Sequence, residues 1–586
     1  MRGLTFVKKI ISSPNFLPLL AVFFFAWLAA KPLFGTGYFN MHDDLQMMRQ
    51  LEMEKCFADL QIPCRWVPDM GYGFGYPLFN FYPPLPYLVG QIFRILGYSF
   101  VDTAKALFIT AFMASGVTMY FLAKRFFGRL GGVLSSVFYV WAPYHAVDIY
   151  VRGAMNEAWG LIWFPLILLF SYNLIANKDL PILKFTKYSI VKNLILGIPL
   201  ALSWAALLTS HNLMVIIFTP FFAMWCVAWL LYYKNWKVLP PLIISGLWSF
   251  CLAAFFTLPV FFEKNVVQTD SLVKGYYEFT AHFPSIGQLL ISRFWGFGPS
   301  VWGLNDEMSF QVGWFHWILP LFLIPFFALL LLRKRKVTVP MLAVSVLFAT
   351  GWIALFMAHP KSTPIWEHIK ALQFIQFPWR YLTMIILGFS FCVGAIMTYL
   401  PKFIRYIGFI VLVVAALAYS WNFFLPQHGK LGPLTDQEKF TGAAWELQQT
   451  AGIYDYLPNT AEMAPQGPRR EIAEVIEGDG HVHSGKQGTN WFTFVAHNEG
   501  ETEMTIRVGQ LAFPNWKVTL DGKEIPTFIP DTEKWGRFYI KIPKGEYQIK
   551  AQLEDTPVRS IGNGITVIAW VVFAAVLTAS YKKKSS

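Results

Sequence analysis

Two carboxylates stand side by side in FNMHDDLQMMRQ, residues 39–50, just beyond the first apolar run of the chain. Adjacent acids at the water edge of a bilayer suit two kinds of chemistry: general base catalysis, or ligation of a divalent cation such as Mg or Mn. The structural alternative is helix capping, because Asp43 and Asp44 precede LQMMRQLEMEKCFADL and Asp sits favourably at a helix N-terminus. One Asp suffices for a cap, and the residues alone leave both readings open. Three further stretches carry charge where charge is scarce. RGAMNE (152–157) brackets a helix mouth with Arg152 and Glu157, either as an ion pair or as a grip on an anionic head group. TSHN (209–212) puts His211 in a tight turn, solvated or functional. In QFPWR (376–380), Pro378 breaks the chain and Arg380 opens a helix, as an anchor or as a bidentate partner for phosphate.

Other groups are harder to order. The segment 262–311 adds Glu263, Lys264, Tyr276, Tyr277, His282, Arg293, Asp306 and Glu307 without a motif to rank them. IPCRWVPDMGYGFGYPLFNFYPPLPY (62–87) is rich in Gly, Tyr and Pro, and reads either as packing or as a platform for stacking sugar rings. HVH (481–483) is too sparse for a metal site, and the five cysteines form no metal pattern. Cys226, Cys251 and Cys392 lie inside apolar runs as small core residues, whereas Cys56 and Cys64 share one loop and can pair if that loop is extracytoplasmic. No Walker A, GxSxG, HExxH or Rossmann run occurs.

The elements that must position these groups are apolar helices. Of 586 residues, 55% are hydrophobic and only 14% charged, with mean hydropathy +0.44. Soluble chains carry about 25% charged residues, so many long apolar runs with this deficit mean a multi-pass membrane protein. Spans are expected near 14–33, 104–124, 132–149, 157–176, 192–209, 212–232, 240–261, 312–332, 338–358, 380–399, 404–424 and 561–580, about twelve in all. PPLPYLVGQIFRILGY (83–98) is expected to be interfacial or re-entrant.

The net charge of +13 does not point to nucleic acid, because no basic stripe, zinc-finger spacing or RNA-binding signature accompanies it. It falls instead in short clusters on alternate loops: KRFFGR (124–129), NKDLPILKFTKYSIVKN (177–193), YYKNWK (232–237), RKRK (333–336), PKFIR (401–405) and YKKK (581–584). Twelve crossings put all of these, with the basic N-terminus, on the cytoplasmic side. The first helix then reads as a retained span, and both termini as cytoplasmic. The opposite face collects 34–103, 150–157, 209–212, 262–311, 359–380 and 425–560. From 425 to 560 the composition turns polar, and TNWFTFVAHNE, MTIRVGQL, WKVTLDGKEIPTFI, GRFYIKIP and EYQIKAQLE read as alternating strands of a small β-sandwich, with DGK (521–523) as a hairpin turn. Three units follow: a membrane domain over 1–424 with a large first outer loop (34–103), an extracytoplasmic β-sandwich over 425–560, and a final helix with a basic tail over 561–586.

HDD (42–44) with the 62–87 stretch, RGAMNEAWGLIWFPL, SHN and QFPWRYL resembles a bacterial multi-pass membrane family described as "6-pyruvoyl-tetrahydropterin synthase-related". FPNWKVTLDGKE and PKGEYQIKAQLEDTPVRSIGNG are similar to YfhO-type membrane proteins. Nothing supports the soluble pterin enzyme itself. These families resemble class C (GT-C) glycosyltransferases, which include protein O-mannosyltransferases, aminoarabinose transferases and oligosaccharyltransferases. The resemblance implies a bacterial plasma-membrane enzyme, a polyprenyl-phosphate-linked sugar donor, a glycan, lipid or protein acceptor, and an acidic residue in the first outer loop. The matching positions are Asp43 and Asp44, with Asp43 the expected base. Arg380, Arg152, Glu157 and His211 are then expected to hold the donor phosphate or substrate. A transporter or flippase of lipid-linked glycan is the alternative, although ionisable residues gather at helix ends rather than midpoints. A non-catalytic, glycan-binding scaffold is another.

Overall fold

The computed structural model describes residues 13–177, 187–301, 303, 305–334, 336–427 and 434–585. The basic N-terminus, most of the 177–193 loop and Arg335 of RKRK lie outside these residues. Among the described residues, ten helices are long and apolar enough to cross a membrane, and the pair Trp236–Leu252 and Ala254–Phe262, bent by 82°, makes an eleventh crossing if counted as one span. One of the ten, Phe100–Val140, is interrupted at Gly128, whose φ of 73° and ψ of −173° are not helical. A straight helix of that length would run about 60 Å, twice the hydrocarbon thickness. The chain turns back instead. The Ser136 hydroxyl donates to the Gly116 carbonyl at 2.7 Å, a contact impossible along one helix axis. The two arms therefore cross separately, and the second continues through Pro143–Ala146 and a π-helical turn, Val147–Val151. With the hairpin counted as two and the bent pair as one, the described residues hold twelve candidate spans, the number the apolar runs suggest. The protein is a mostly helical, multi-pass membrane protein.

Burial separates central from peripheral helices. Pro378–Tyr399 is 89% buried along its apolar window, against 17% for Pro557–Ala579 and 22% for Lys402–Phe423, which face lipid. Close packing around the central helix uses small residues and polar links, as helix pairs in lipid do. Ser135 on the second hairpin arm donates to the Phe391 carbonyl at 3.1 Å. Leu85–Ile95, from the 83–98 stretch, has only 11 residues, about 16 Å, and is too short to cross. It leaves Ile92, Ile95 and Leu96 exposed, as an interfacial helix does.

The strands occupy Ala473–Leu553, a smaller range than the polar composition of 425–560 suggests. Residues 434–472 carry no strand; they form short helices and irregular chain. Eight antiparallel strands make two sheets: β1 (Ala473–Glu477), β4 (Met504–Leu511) and β7 (Arg537–Ile542) in the order β1-β4-β7, and β2 (Gly480–Gln487), β3 (Trp491–Asn498), β8 (Gly545–Leu553), β5 (Trp516–Leu520) and β6 (Lys523–Ile525) in the order β2-β3-β8-β5-β6. Phe492, Phe494, Ile506, Ile540 and Ile549 fill the core between them. β3 alternates buried and half-buried residues throughout, which is the period-two pattern legible in WFTFVAHN. Asp521 and Gly522, with φ of 48° and 86°, make the tight β5–β6 turn.

The aromatic 62–87 loop is the socket for this domain. Trp66 is fully buried and meets Phe513 and Trp516 at 5.3 and 5.8 Å between ring centres, and Phe81 stacks on Tyr456 at 5.5 Å. Every ring of the loop except that of Tyr82 is buried, so the sugar-platform reading fails for those rings. Cys56 and Cys64 are joined in a disulfide across the base of this loop.

Candidate functional site

The short helix after the acid pair begins at Gln46, and its N-cap is Leu45, with no side-chain cap. Neither Asp43 nor Asp44 caps it, so the capping explanation fails for both. The acid pair is held by backbone instead: the His42 and Asp43 N–H groups donate to the Val151 and Arg152 carbonyls at 3.1 and 2.9 Å. This pairing presses the first loop onto RGAMNE. A Cβ at Gly153, where φ is +60°, would lie 2.1 Å from Met41 Sδ, so the approach requires glycine there.

Two donors, Arg49 and Gln46, fix the Asp43 carboxylate. Arg49 Nη1 donates to Oδ2 at 2.8 Å, and Gln46 Nε2 donates to the same oxygen at 3.1 Å and to the Asp43 carbonyl at 3.0 Å. The Arg49 side chain is 7% exposed and Asp43 34%, so a buried cation presents a half-open carboxylate. Tyr87 fixes the support. Its hydroxyl donates to Gln46 Oε1 at 2.6 Å, while the Arg49 guanidinium lies 4.1 Å over the Tyr82 ring. Asp44 turns the other way and pairs with Lys439, whose side chain is nearly buried. Burial raises the Asp44 carboxyl above the ordinary range, against the pull of Lys439. His42 Nε2 meets the Phe297 carbonyl at 3.0 Å, and burial lowers the basicity of its ring.

On the other side of the backbone pairing lies a closed network. Arg152 Nη1 donates to Glu157 Oε2 at 2.8 Å, pairs with Asp148, and donates to the Tyr144 hydroxyl at 3.2 Å. Tyr144 in turn donates to Glu157 Oε1 at 2.7 Å, and Arg380 Nε stands 3.4 Å from Glu157 Oε2. Two cations and two anions thus balance out of water. The Arg152 guanidinium lies 4.4 Å over Trp379, which stacks on Phe377 at 4.7 Å. Arg380 Nη1 donates to the Ile375 carbonyl at 2.7 Å and to Gln376 Oε1 at 3.2 Å. Both arginines from RGAMNE and QFPWR therefore meet, but inside an ion network rather than as free cations. His211 caps Asn212–Tyr233 by accepting the Met214 N–H at 3.4 Å, and burial, reinforced by Arg380, lowers its imidazole to about 3.

The remaining candidates divide by place. His282 bonds Ser300 Oγ at 2.9 Å and the Tyr276 carbonyl at 2.5 Å, and packs 4.7 Å from Phe377, so Tyr276 and His282 brace the QFPWR turn. Tyr277 faces the fields of Asp455, Asp43 and Arg380, and burial pushes its hydroxyl up to about 12. Glu263 is structural, since it accepts Arg559 Nε at 2.9 Å and Asn80 Nδ2 at 2.9 Å. Arg293 reaches the Tyr419 carbonyl at 3.1 Å, Gln288 bonds Asp306 at 2.8 Å, Glu307 packs on Gly298, and Lys264 is exposed. Sequence reasoning missed Asp455 and Lys439, both from the 434–472 segment. Burial raises Asp455 to about 6, with Asp43 adding to the rise and Arg49 opposing it. No local pattern marks either residue; only the fold carries them to loop 34–103.

The groups at this end of the bundle can accept a proton at Asp43 and place cations near the helix ends. No family model matches the chain, and no curated protein matches it either. Among solved structures, it is similar to the Archaeoglobus fulgidus oligosaccharyltransferase tethered with an acceptor peptide, with a TM-score of 0.44 and 11% identity over 78% of this chain and 61% of that one. The archaeal oligosaccharyltransferase AglB from the same organism, in complex with an inhibitory peptide and a dolichol-phosphate, gives a TM-score of 0.40 and 13% identity over the same shares. The chain thus spans about three fifths of the length of these structures.

Proposed function

We propose that the protein is an integral-membrane glycosyltransferase of the GT-C type, moving a sugar from a polyprenyl-phosphate-linked donor to an acceptor on the extracytoplasmic face. The observation that carries this reading is the half-open Asp43 carboxylate, fixed by buried Arg49 and Gln46 where the apolar helices end. A donor with its tail in lipid brings its scissile bond to that depth. Asp43 removes the acceptor hydroxyl's proton while that oxygen attacks the anomeric carbon and the phosphate departs. Arg380 uses only Nη1 in its two hydrogen bonds, which leaves Nη2 for a phosphate oxygen. Arg152, whose charge is balanced by Glu157 and Asp148 and whose guanidinium lies over Trp379, positions Arg380 and the helix mouth. His211, whose basicity burial lowers, caps Asn212–Tyr233 and offers the phosphate no positive charge.

The sequence resemblance favours the same class of reaction. A lone carboxylate suffices for base catalysis, and a Mg or Mn ion at Asp43 would need further ligands. The rival transporter reading wants its charges near helix midpoints, whereas this charge gathers where helices begin. The test is purified protein in proteoliposomes with radiolabelled polyprenyl-phosphate sugars and an acceptor extract. Transfer of label with release of polyprenyl phosphate is expected, with inversion at the anomeric carbon. Movement of intact donor across the bilayer without transfer would instead establish the transporter. Retention of configuration would rule out single displacement.

A further inference from the structure

A second group of ligating side chains lies on the β-domain, independent of the acid pair. β2 is an edge strand paired with β3, and the register sets His481 directly opposite His497. Such cross-strand neighbours have Cβ atoms about 4.5–5.5 Å apart. His483, two residues along, shares the face of His481, with ring centres 5.5 Å apart. The HVH stretch alone offers two imidazoles; the register supplies a third, and the turn after β3 supplies a carboxylate.

That turn is firmly held. Buried Asn498 donates to the Thr502 and Ile542 carbonyls at 2.8 and 2.9 Å and accepts the Gly500 N–H at 2.9 Å. The Glu499 N–H donates to the Asp479 carbonyl at 2.9 Å. Glu499 Oε1 consequently stands 3.5 Å from His481 Nδ1 and 3.9 Å from His497 Nδ1. One ligand atom from each of the three residues lies within 4.8 Å of the others. Ligands about 2.0–2.2 Å from a tetrahedral zinc ion lie roughly 3.4 Å apart, so exposed side chains need only small rotations to close around one. The donor set decides the kind of ion. Two imidazoles and one carboxylate suit zinc-class transition cations, whereas Mg and Ca take oxygen ligands almost throughout.

We propose that His481, His497 and Glu499 form a site for a divalent transition cation of the zinc class, which ties edge strand β2 to β3 and leaves a coordination position open to solvent beside His483. The ion adds a side-chain tie across the β2–β3 pairing at the end of the sheet. Its open position also gives the domain a place to take a further ligand, such as water or a carboxylate. The three side chains reach solvent and support no core, so their replacement leaves the sandwich intact.

The experiment uses the full chain in detergent, stripped with chelator and titrated with zinc chloride by calorimetry, alongside His497→Ala and Glu499→Gln. Losing even an outer-shell partner costs about 10–100-fold in metal affinity, so each variant is expected to lose at least tenfold. Zinc should raise the melting temperature of the unsubstituted protein and not that of His497→Ala, while the metal-free melting temperatures agree. Absence of zinc binding, or equal binding by His497→Ala, overturns the assignment. Magnesium binding at the same site with equal affinity would contradict the donor-set argument.

Discussion

Two clusters of charge flank the backbone pairing between residues 42–43 and 151–152, and they are built on opposite terms. On one side, Arg49 lies buried beneath Asp43, which keeps 34% of its side-chain surface, and nearly buried Lys439 does the same for Asp44 at 31%. On the other, Asp148, Arg152 and Glu157 show 8% or less, and Arg380 only 11%. The first cluster has carboxylates with surface to spare, while the second spends its charges on one another. Ion networks out of water are costly unless complete, and a broken one is costlier still. The closed network holds three helix ends together, while the open one is the cluster to which the proposed function assigns substrate.

The largest expected effect tests the closed side. Glu157→Ala strands Arg152 and Arg380 without their shared anion, and should cost about 3–5 kcal/mol of stability. Thermal unfolding in detergent reads it, and an unchanged melting temperature would show that the network is not structural. A smaller effect concerns pH. Burial lifts the Asp455 carboxyl from the usual 3.8 to about 6, so the folded protein binds this proton more tightly than the unfolded chain. The associated stability is present below about pH 4 and is lost as pH rises through 6, by at most about 3 kcal/mol and less where water reaches the group. Unfolding of Asp455→Asn across pH 4–7 should therefore fall less steeply with rising pH than that of the unsubstituted protein. Parallel curves would place Asp455 in water, away from the open cluster. The smallest effect belongs to the Asp44–Lys439 pair: Lys439→Met should cost about 1 kcal/mol or less, since Asp44 keeps 31% of its side-chain surface and meets water once unpaired. A loss as large as that of Glu157→Ala would erase the contrast between the clusters.

Much of this arrangement is legible in the chain. Apolar runs mark the crossings, and the alternation in WFTFVAHN marks a half-buried strand. Charge at helix ends singles out Asp43, Arg152, Glu157 and Arg380, which the fold gathers at one end of the bundle. What the sequence hides is long-range pairing. Lys439 meets Asp44 across 395 positions, and His497 meets His481 through a register that no local pattern specifies. The role of each charge is hidden for the same reason: Arg380 reads as a free cation until Glu157 is seen beside it. The expected cap at Asp43 or Asp44 fails because the helix starts at Gln46, with Leu45 at its cap position, and both carboxylates are engaged by cations, Arg49 and Lys439.

The central claim is that Asp43 is the base, while the buried network holds it in place and offers the phosphate Arg380 alone. Transfer from a polyprenyl-phosphate sugar in proteoliposomes, measured for Asp43→Asn beside Asp44→Asn, tests this most directly. The account predicts that Asp43→Asn still folds and binds donor, but transfers about 10²–10⁴-fold more slowly, while Asp44→Asn keeps most of its activity. Undiminished transfer by Asp43→Asn would contradict it.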